Sequence, residues 1–236
     1  MQPSASPQYI GKDLEAMAFA NNYYQWVLAE ISPYLGNSVA EVGAGVGNFS
    51  TLVLETDISS LVAFEPSLEM CDLLQEALGK DKRASAINDF FGKEDSEKSF
   101  FDSILYINVL EHIDDDVSEL AKAHAALNPE GHLLIFVPAL PWLYSEFDRE
   151  VGHFRRYVKS DLVALVQRAG FSIVTARYFD IAGIIPWYIN FVLLRNSMRG
   201  GSISLYDRFV VPTMRTLEGL LPVPVGKNVL LVARKE

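Results

Sequence analysis

"VAEVGAGVGN" spans Val39 to Asn48 and carries glycine at 43, 45 and 47 directly after a short apolar run. Because glycine takes positive φ without a Cβ clash, the stretch predicts a strand ending at Val42, a tight turn, and a helix starting near Gly47. The backbone amides of such a turn are expected to point at an anionic group. That group is either a dinucleotide pyrophosphate or the carboxylate end of an amino-acid-like cofactor. Dinucleotide turns favour G-x-G-x-x-G, whereas Asn48 holds the sixth place here and the acidic Glu41 precedes the turn.

Outward from this turn, apolar runs of strand length alternate with stretches of helical period, the pattern of a mostly parallel sheet covered on both faces. Strands are expected at Ser38–Val42, Leu61–Phe64, Ala84–Ile87, Phe101–Ile107 and His132–Val137, with two more at Phe171–Tyr178 and Asn228–Arg234. Helical period over Leu14–Leu35, closed by Gly36, predicts a helical cap before the first strand. Asp116 and Ser160 each open a further helix, the second ending at Gly170. His124 on an apolar helix face and His132 at a strand start read as structural.

Two acidic landmarks follow the turn. Glu65 ends the second strand 18 residues past Gly47, close to the interval of about 20 at which a carboxylate grips ribose hydroxyls. Asn88-Asp89 ends the third strand, where a carboxylate can accept from an adenine amine; the same pair is equally good turn chemistry.

A chain of 236 residues with half its residues hydrophobic builds one α/β domain and buries a sizeable core without staples. The expected organisation is a single domain over 1–236. It comprises a cap (1–36), a core (37–178), an apolar insertion (179–226) and a final strand (227–236). The net charge of −10 repels polyanions, so nucleic acid is excluded as a partner. The opening MQPSASPQYI lacks the features of a secretory signal, and the single Cys71 excludes a disulfide framework or a cysteine zinc cluster. A cytoplasmic location is expected, and no metal site is assigned.

"EVGAGVGN", "VAFEPS", "NDF", "FDSILYINVLEHIDDD" and "LNPEGHLLIFVPA" together resemble the motifs of class I S-adenosylmethionine-dependent methyltransferases, from about residue 20 to the C-terminus. The resemblance implies a Rossmann-like, doubly wound α/β sheet of seven strands with the last antiparallel, and S-adenosylmethionine as cofactor. It implies cofactor contacts from Glu41, Gly43, Ala44, Gly45 and Gly47, with Glu41 serving the methionine amine. Glu65 and Pro66, then Asn88, Asp89 and Phe90, and finally Asn108, complete that set. Methyl transfer is an in-line displacement that needs alignment and dryness but no metal; an oxygen or nitrogen acceptor also profits from a base. Glu111 and His112, placed by the resemblance near the methyl group, are candidates for catalysis or for shaping the pocket.

"SEFDREVGHFRRYVKSDL" clusters Arg149, Arg155, Arg156 and Lys159 with His153 in an otherwise acidic chain. As a solvated loop, its arginines would pair with Glu146, Asp148 and Glu150. As a site, Arg155 and Arg156 would bind an acceptor anion and His153 would act as base, with Tyr24, Tyr157 and Trp187 lining the acceptor pocket. The Gly152–Tyr157 core is similar to a bacterial methyltransferase subgroup, some of whose members accompany glycosyltransferases in surface-polysaccharide or lipid-linked sugar pathways. The acceptor is therefore expected to be small or lipid-linked.

The apolar stretch 179–199 is interrupted at Asp180, Pro186 and Asn190 and is too short to span a bilayer. It suits a lid, a homodimer contact, or a surface helix touching the inner membrane face with Arg195 and Arg199 at the headgroups. Two rival functions stand beside methyl transfer: an NAD(P)-dependent oxidoreductase and a non-catalytic nucleoside-binding protein.

Overall fold

A computed structural model of the chain describes residues 20–92, 100–195, 204–221 and 223–236. Its strands are β1 (Ser38–Val42), β2 (Ser60–Phe64), β3 (Ala84–Ile87), β4 (Phe101–Ile107), β5 (Leu127–Pro138), β6 (Phe171–Phe179) and β7 (Asn228–Lys235). They form one sheet in the order β3-β2-β1-β4-β5-β7-β6. The first five run parallel, and β7 is inserted antiparallel between β5 and β6, as the sequence reading expects.

Around the sheet lie α1 (Asn21–Ile31), α2 (Asn48–Val53), α3 (Leu68–Leu78), α4 (Asp116–Ala126), α5 (Glu146–Glu150), α6 (Lys159–Arg168), α7 (Ile184–Trp187) and α8 (Val211–Leu220). Successive residues of β4 feed opposite cores. Ile104 and Tyr106 pack with Leu120 of α4 and Leu162 and Val166 of α6, whereas Leu105 and Ile107 pack with Trp26 and Val27 of α1 and Phe49 of α2. A strand buried on both faces reads as one continuous apolar run, which is why the central strands were legible.

Two local departures have physical causes. α1 ends at Ile31 and gives way to a tight turn over Ser32–Tyr34, because Pro33 cannot continue the helical hydrogen-bond ladder. The Leu14–Phe19 part of the expected cap lies outside the described residues. β5 begins at Leu127 rather than His132: Leu127 already pairs with Phe101, and Asn128-Pro129-Glu130-Gly131, with Glu130 at a left-handed φ of 65°, bulges out before pairing resumes between Ser103 and His132.

The insertion divides in two. α7 continues into a π-helical turn (Tyr188–Leu193) near the Gly152–Tyr157 segment, where Trp187 packs on Phe147 and Phe191. A second π-helical turn (Tyr206–Val210) leads into α8, and Tyr206, Val211 and Met214 pack into the α1 side of the core. Asp207 accepts hydrogen bonds from the Asn22 and Tyr23 amides at 3.0 and 2.8 Å, capping the start of α1 from far along the chain. Arg199 falls outside the described residues. Among those described, no helix is long and apolar enough to cross a membrane.

Candidate active site

The sheet order reverses direction between β1 and β4, so a crevice is expected at their carboxyl ends. The glycine turn sits there, with φ of 67° at Gly43, 57° at Gly45 and 88° at Gly47. A Cβ on Gly43 would lie 2.7 Å from Cγ2 of Val109, just past β4; the two strand ends approach too closely for any larger residue. Contrary to the sequence expectation, three amides of the turn are not free for a ligand. Ala44 N–H donates to the Phe64 carbonyl (3.0 Å), Gly45 N–H to Glu65 Oε2 (2.9 Å) and Gly47 N–H to the Ala44 carbonyl (3.0 Å). Here the turn's amides are taken up by the end of β2 and by the turn itself, which removes donors that a dinucleotide pyrophosphate would need.

Carboxylates and amides surround this turn. Glu41 is buried, accepts from Ser50 Oγ at 2.5 Å, and has its carboxyl pushed up to about 7, chiefly by burial. Glu65, also buried, accepts from Ser67 N–H (2.8 Å) as well as Gly45 N–H. Burial raises its carboxyl, and those two amides partly oppose the rise. Asn88 Nδ2 donates to the Glu65 and Pro66 carbonyls, tying the ends of β2 and β3 together, and Asp89 Oδ1 accepts from Phe90 N–H (2.7 Å). Phe90 is exposed. Asn108 has a left-handed φ of 54°, held by its amide's bond to the Phe136 carbonyl. The side-chain nitrogen of Asn48 is buried without a hydrogen-bond partner. These residues fit S-adenosylmethionine: a buried carboxylate for an ammonium, a strand-end carboxylate for ribose, and an unspent donor beside the turn.

Beyond Asn108, Glu111 and His112 lie in a tight turn (Leu110–His112), and the capping box of α5 brings Asp148 and His153 to them. His153 Nδ1 bonds Asp148 Oδ1 at 2.9 Å, and its Nε2 lies 3.9 Å from Glu111 Oε1. The His112 and His153 rings meet edge to face at 4.6 Å. Burial pushes the Glu111 carboxyl up to about 7 against the pull of His153 and Arg156. Burial, with His153 nearby, pushes His112 down to about 3, so its ring is neutral.

The arginines face this chain's own acids. Arg156 is buried, binds Asp148 through Nε (2.9 Å) and Nη2 (2.8 Å), and lies 4.4 Å from the Trp187 ring centre. Arg155 pairs with Asp116 at 2.7 Å and Asp114 at 3.2 Å, and exposed Arg149 with Glu146. Tyr157 donates to Asp116 Oδ2 and the Leu110 carbonyl. Thus the structure gathers Glu111, His112, His153, Arg156 and Trp187, while Tyr24 packs edge-on to Phe49 of α2.

A family model described as a methyltransferase domain matches residues 18–176. The chain belongs to the methyltransferase-domain family. A Haloferax volcanii protein solved in complex with the Trm112 methyltransferase activator shares 14% identity at TM-score 0.68, with 98% of this chain and 99% of that one covered. An S-adenosylmethionine-dependent methyltransferase from Mesorhizobium loti shares 15% at 0.62, covering 91% and 98%. One from Archaeoglobus fulgidus shares 14% at 0.64, covering 94% and 99%. No curated protein matches.

For this methyltransferase, S-adenosylmethionine is the expected cofactor, and the residues on both sides of the β1–β4 crevice divide by chemistry. Those before Asn108 offer strand-end carboxylates beside the glycine turn, whereas those after it gather lone pairs. Sequence reading named Asp148 only as an arginine partner. Its second role, orienting His153, had no contiguous signal beyond the Ser145–Asp148 capping-box spacing.

Proposed function

We propose that this methyltransferase transfers a methyl group to an oxygen or nitrogen of a small or lipid-linked acceptor seated between Asn108 and the Glu111–His112–His153 group. The carrying observation is that group itself. Three side chains with lone pairs converge on the acceptor side of the crevice, and one of them, Glu111, is a fully buried carboxylate. When bound, S-adenosylmethionine supplies an electrophilic methyl on its sulfonium. Glu41 pairs with the ammonium, Glu65 with the ribose hydroxyls, and Asp89, flanked by Asn88 and Phe90, with the adenine.

Activation of the acceptor falls to Glu111, His112 and His153, which take or polarise its O–H or N–H proton. Asp148 sets the His153 tautomer and Arg156 holds Asp148, so the arginine positions the base instead of offering a free charge to the acceptor. Trp187 closes the far side through its 3.2 Å bond to the Leu143 carbonyl. Exposed Ile185, Tyr188, Ile189 and Leu193 extend from there, which supports an amphiphilic or lipid-linked acceptor reached at the inner face of the membrane.

Methyl transfer from radiolabelled S-adenosylmethionine to a panel of amphiphilic hydroxyl and amine compounds tests the reading. His153→Ala is expected to lower turnover by about a hundredfold or more while leaving cofactor affinity within about twofold. Equal turnover by the variant removes His153 from the chemistry. Cofactor binding without transfer to any compound favours the nucleoside-binding alternative.

A further inference from the structure

Glu111 is buried, and neither carboxylate oxygen has a hydrogen-bond partner. The 3.9 Å from Oε1 to His153 Nε2 is too long for a hydrogen bond. A buried carboxylate without a hydrogen bond is costly; His153 and Arg156 act on it only as more distant charges, and a closer cation would offset that cost. One ligand atom each from Glu111, His112 and His153 lie within 4.8 Å of one another.

Both imidazoles are oriented from behind. His153 Nδ1 is taken by Asp148 Oδ1, and Asp148 is fixed by Arg156 and by the Ser145 amide and hydroxyl, both at 2.8 Å. His112 Nδ1 faces Gly152, where a Cβ would come within 3.8 Å of it. A carboxylate or carbonyl on one ring nitrogen that leaves the other for an ion is the outer-shell pattern of metal-binding histidines.

We propose that Glu111, His112 and His153 bind a divalent transition-metal ion that keeps open positions for the acceptor. Two nitrogens and a carboxylate oxygen suit Zn²⁺, Mn²⁺, Fe²⁺ or Co²⁺ better than Mg²⁺ or Ca²⁺, which prefer oxygen ligands throughout. Bonds of about 2.1 Å at tetrahedral angles place two ligands of one ion about 3.4 Å apart, so side-chain rotations that draw the three groups together by about an ångström or more accompany binding. The sequence reading assigned no metal because methyl transfer requires none, and some forty residues separate His112 from His153, without a contiguous ligand motif to suggest one.

The use of the ion rests on the methyltransferase reading, though the existence of the site does not. Coordination of an acceptor hydroxyl lowers its pKa, and the proton leaves to solvent. An oxygen lone pair then forms the new C–O bond while the C–S pair returns to sulfur, turning the sulfonium into a thioether.

The test uses the full, tag-free chain stripped with EDTA and titrated with Co²⁺, followed by visible absorption. S-Adenosylmethionine affinity is measured by calorimetry on the same samples. One Co²⁺ per chain is expected, with ligand-field bands in the visible. Glu111→Gln, which keeps the side-chain shape, and His153→Ala are expected to weaken uptake by more than the about tenfold to hundredfold that loss of an outer-shell partner costs. Melting curves and cofactor affinity of Glu111→Gln should match wild type. No uptake at millimolar Co²⁺, or undiminished uptake by both variants, overturns the metal site. If cofactor binding persists in that case, the methyltransferase reading stands with the side chains acting alone. Co²⁺ uptake without cofactor binding overturns that reading and keeps the site.

Discussion

Burial lifts the Glu41 carboxyl from 4.5 to about 7, and the Ser50 hydrogen bond offsets only part of the rise. Between those values the folded, cofactor-free protein holds a proton that the unfolded chain has released. The stabilisation is therefore full below the unfolded pKa and is lost as pH climbs to about 7. An ammonium group placed beside Glu41 reverses the preference and expels that proton. S-Adenosylmethionine affinity should rise with pH across this window and flatten above it. Calorimetry near pH 6 in two buffers of unlike ionisation enthalpy should reveal proton release, which Glu41→Gln abolishes; release undiminished in the variant assigns the proton elsewhere. At this scale the sequence was informative wherever a residue sits at a strand end. The places of Glu41, Glu65 and Asp89 near the ends of β1, β2 and β3 were legible because the glycine turn and strand spacing index them. Asp148 was half legible, since its arginine partner lies in the same charged run, but its grip on His153 depends on how α5 folds back.

Elements meet across distances that local patterns do not encode. Asn21–Ile31 has no side-chain cap of its own, and Asp207, 185 residues beyond Asn22, accepts its first amides. Asp207→Ala should cost about 1–2 kcal/mol of stability, as loss of a helix cap does, with cofactor affinity unchanged. Urea unfolding and calorimetry on the same variant check both, and an unaltered urea midpoint would refute the capping role. Glu218 serves the insertion similarly, accepting from the Asp180 and Ile181 amides at 3.0 and 2.9 Å. The sequence showed an apolar, proline-punctuated stretch but not that α8 would lean on α1. Periodicity reports that a face is buried, not what buries it. The start of β5 escaped for a related reason: Asn-Pro-Glu-Gly is turn chemistry and does bulge, with Glu130 at a φ of 65°, while Leu127 before it pairs with Phe101 of a distant strand.

For the molecule as a whole, one sheet carries both cores, so damage at its centre should not stay local. Phe136 of β5 is fully buried and packs edge-on to Tyr23 and Phe179 at 6.0 and 5.2 Å. Phe136→Ala should cost about 3–5 kcal/mol, a large share of the about 5–15 kcal/mol holding such a domain. Circular dichroism and cofactor-binding loss should then follow one transition at a lower midpoint; two separate transitions would show that the halves fold independently. Fold class was the most legible property, because the alternation of buried runs and helical stretches leaves few topologies with right-handed crossovers. Acceptor identity was the least, since that side is built from irregular segments on the shared sheet.

The central claim is most directly tested by calorimetric titration of S-adenosylmethionine, its demethylated product and NAD into the full chain and into Glu65→Ala. Micromolar, one-to-one binding of the first two is predicted, weakened about tenfold or more by the substitution, with no heat from NAD. Binding of NAD, or none of S-adenosylmethionine and its product, would contradict the account.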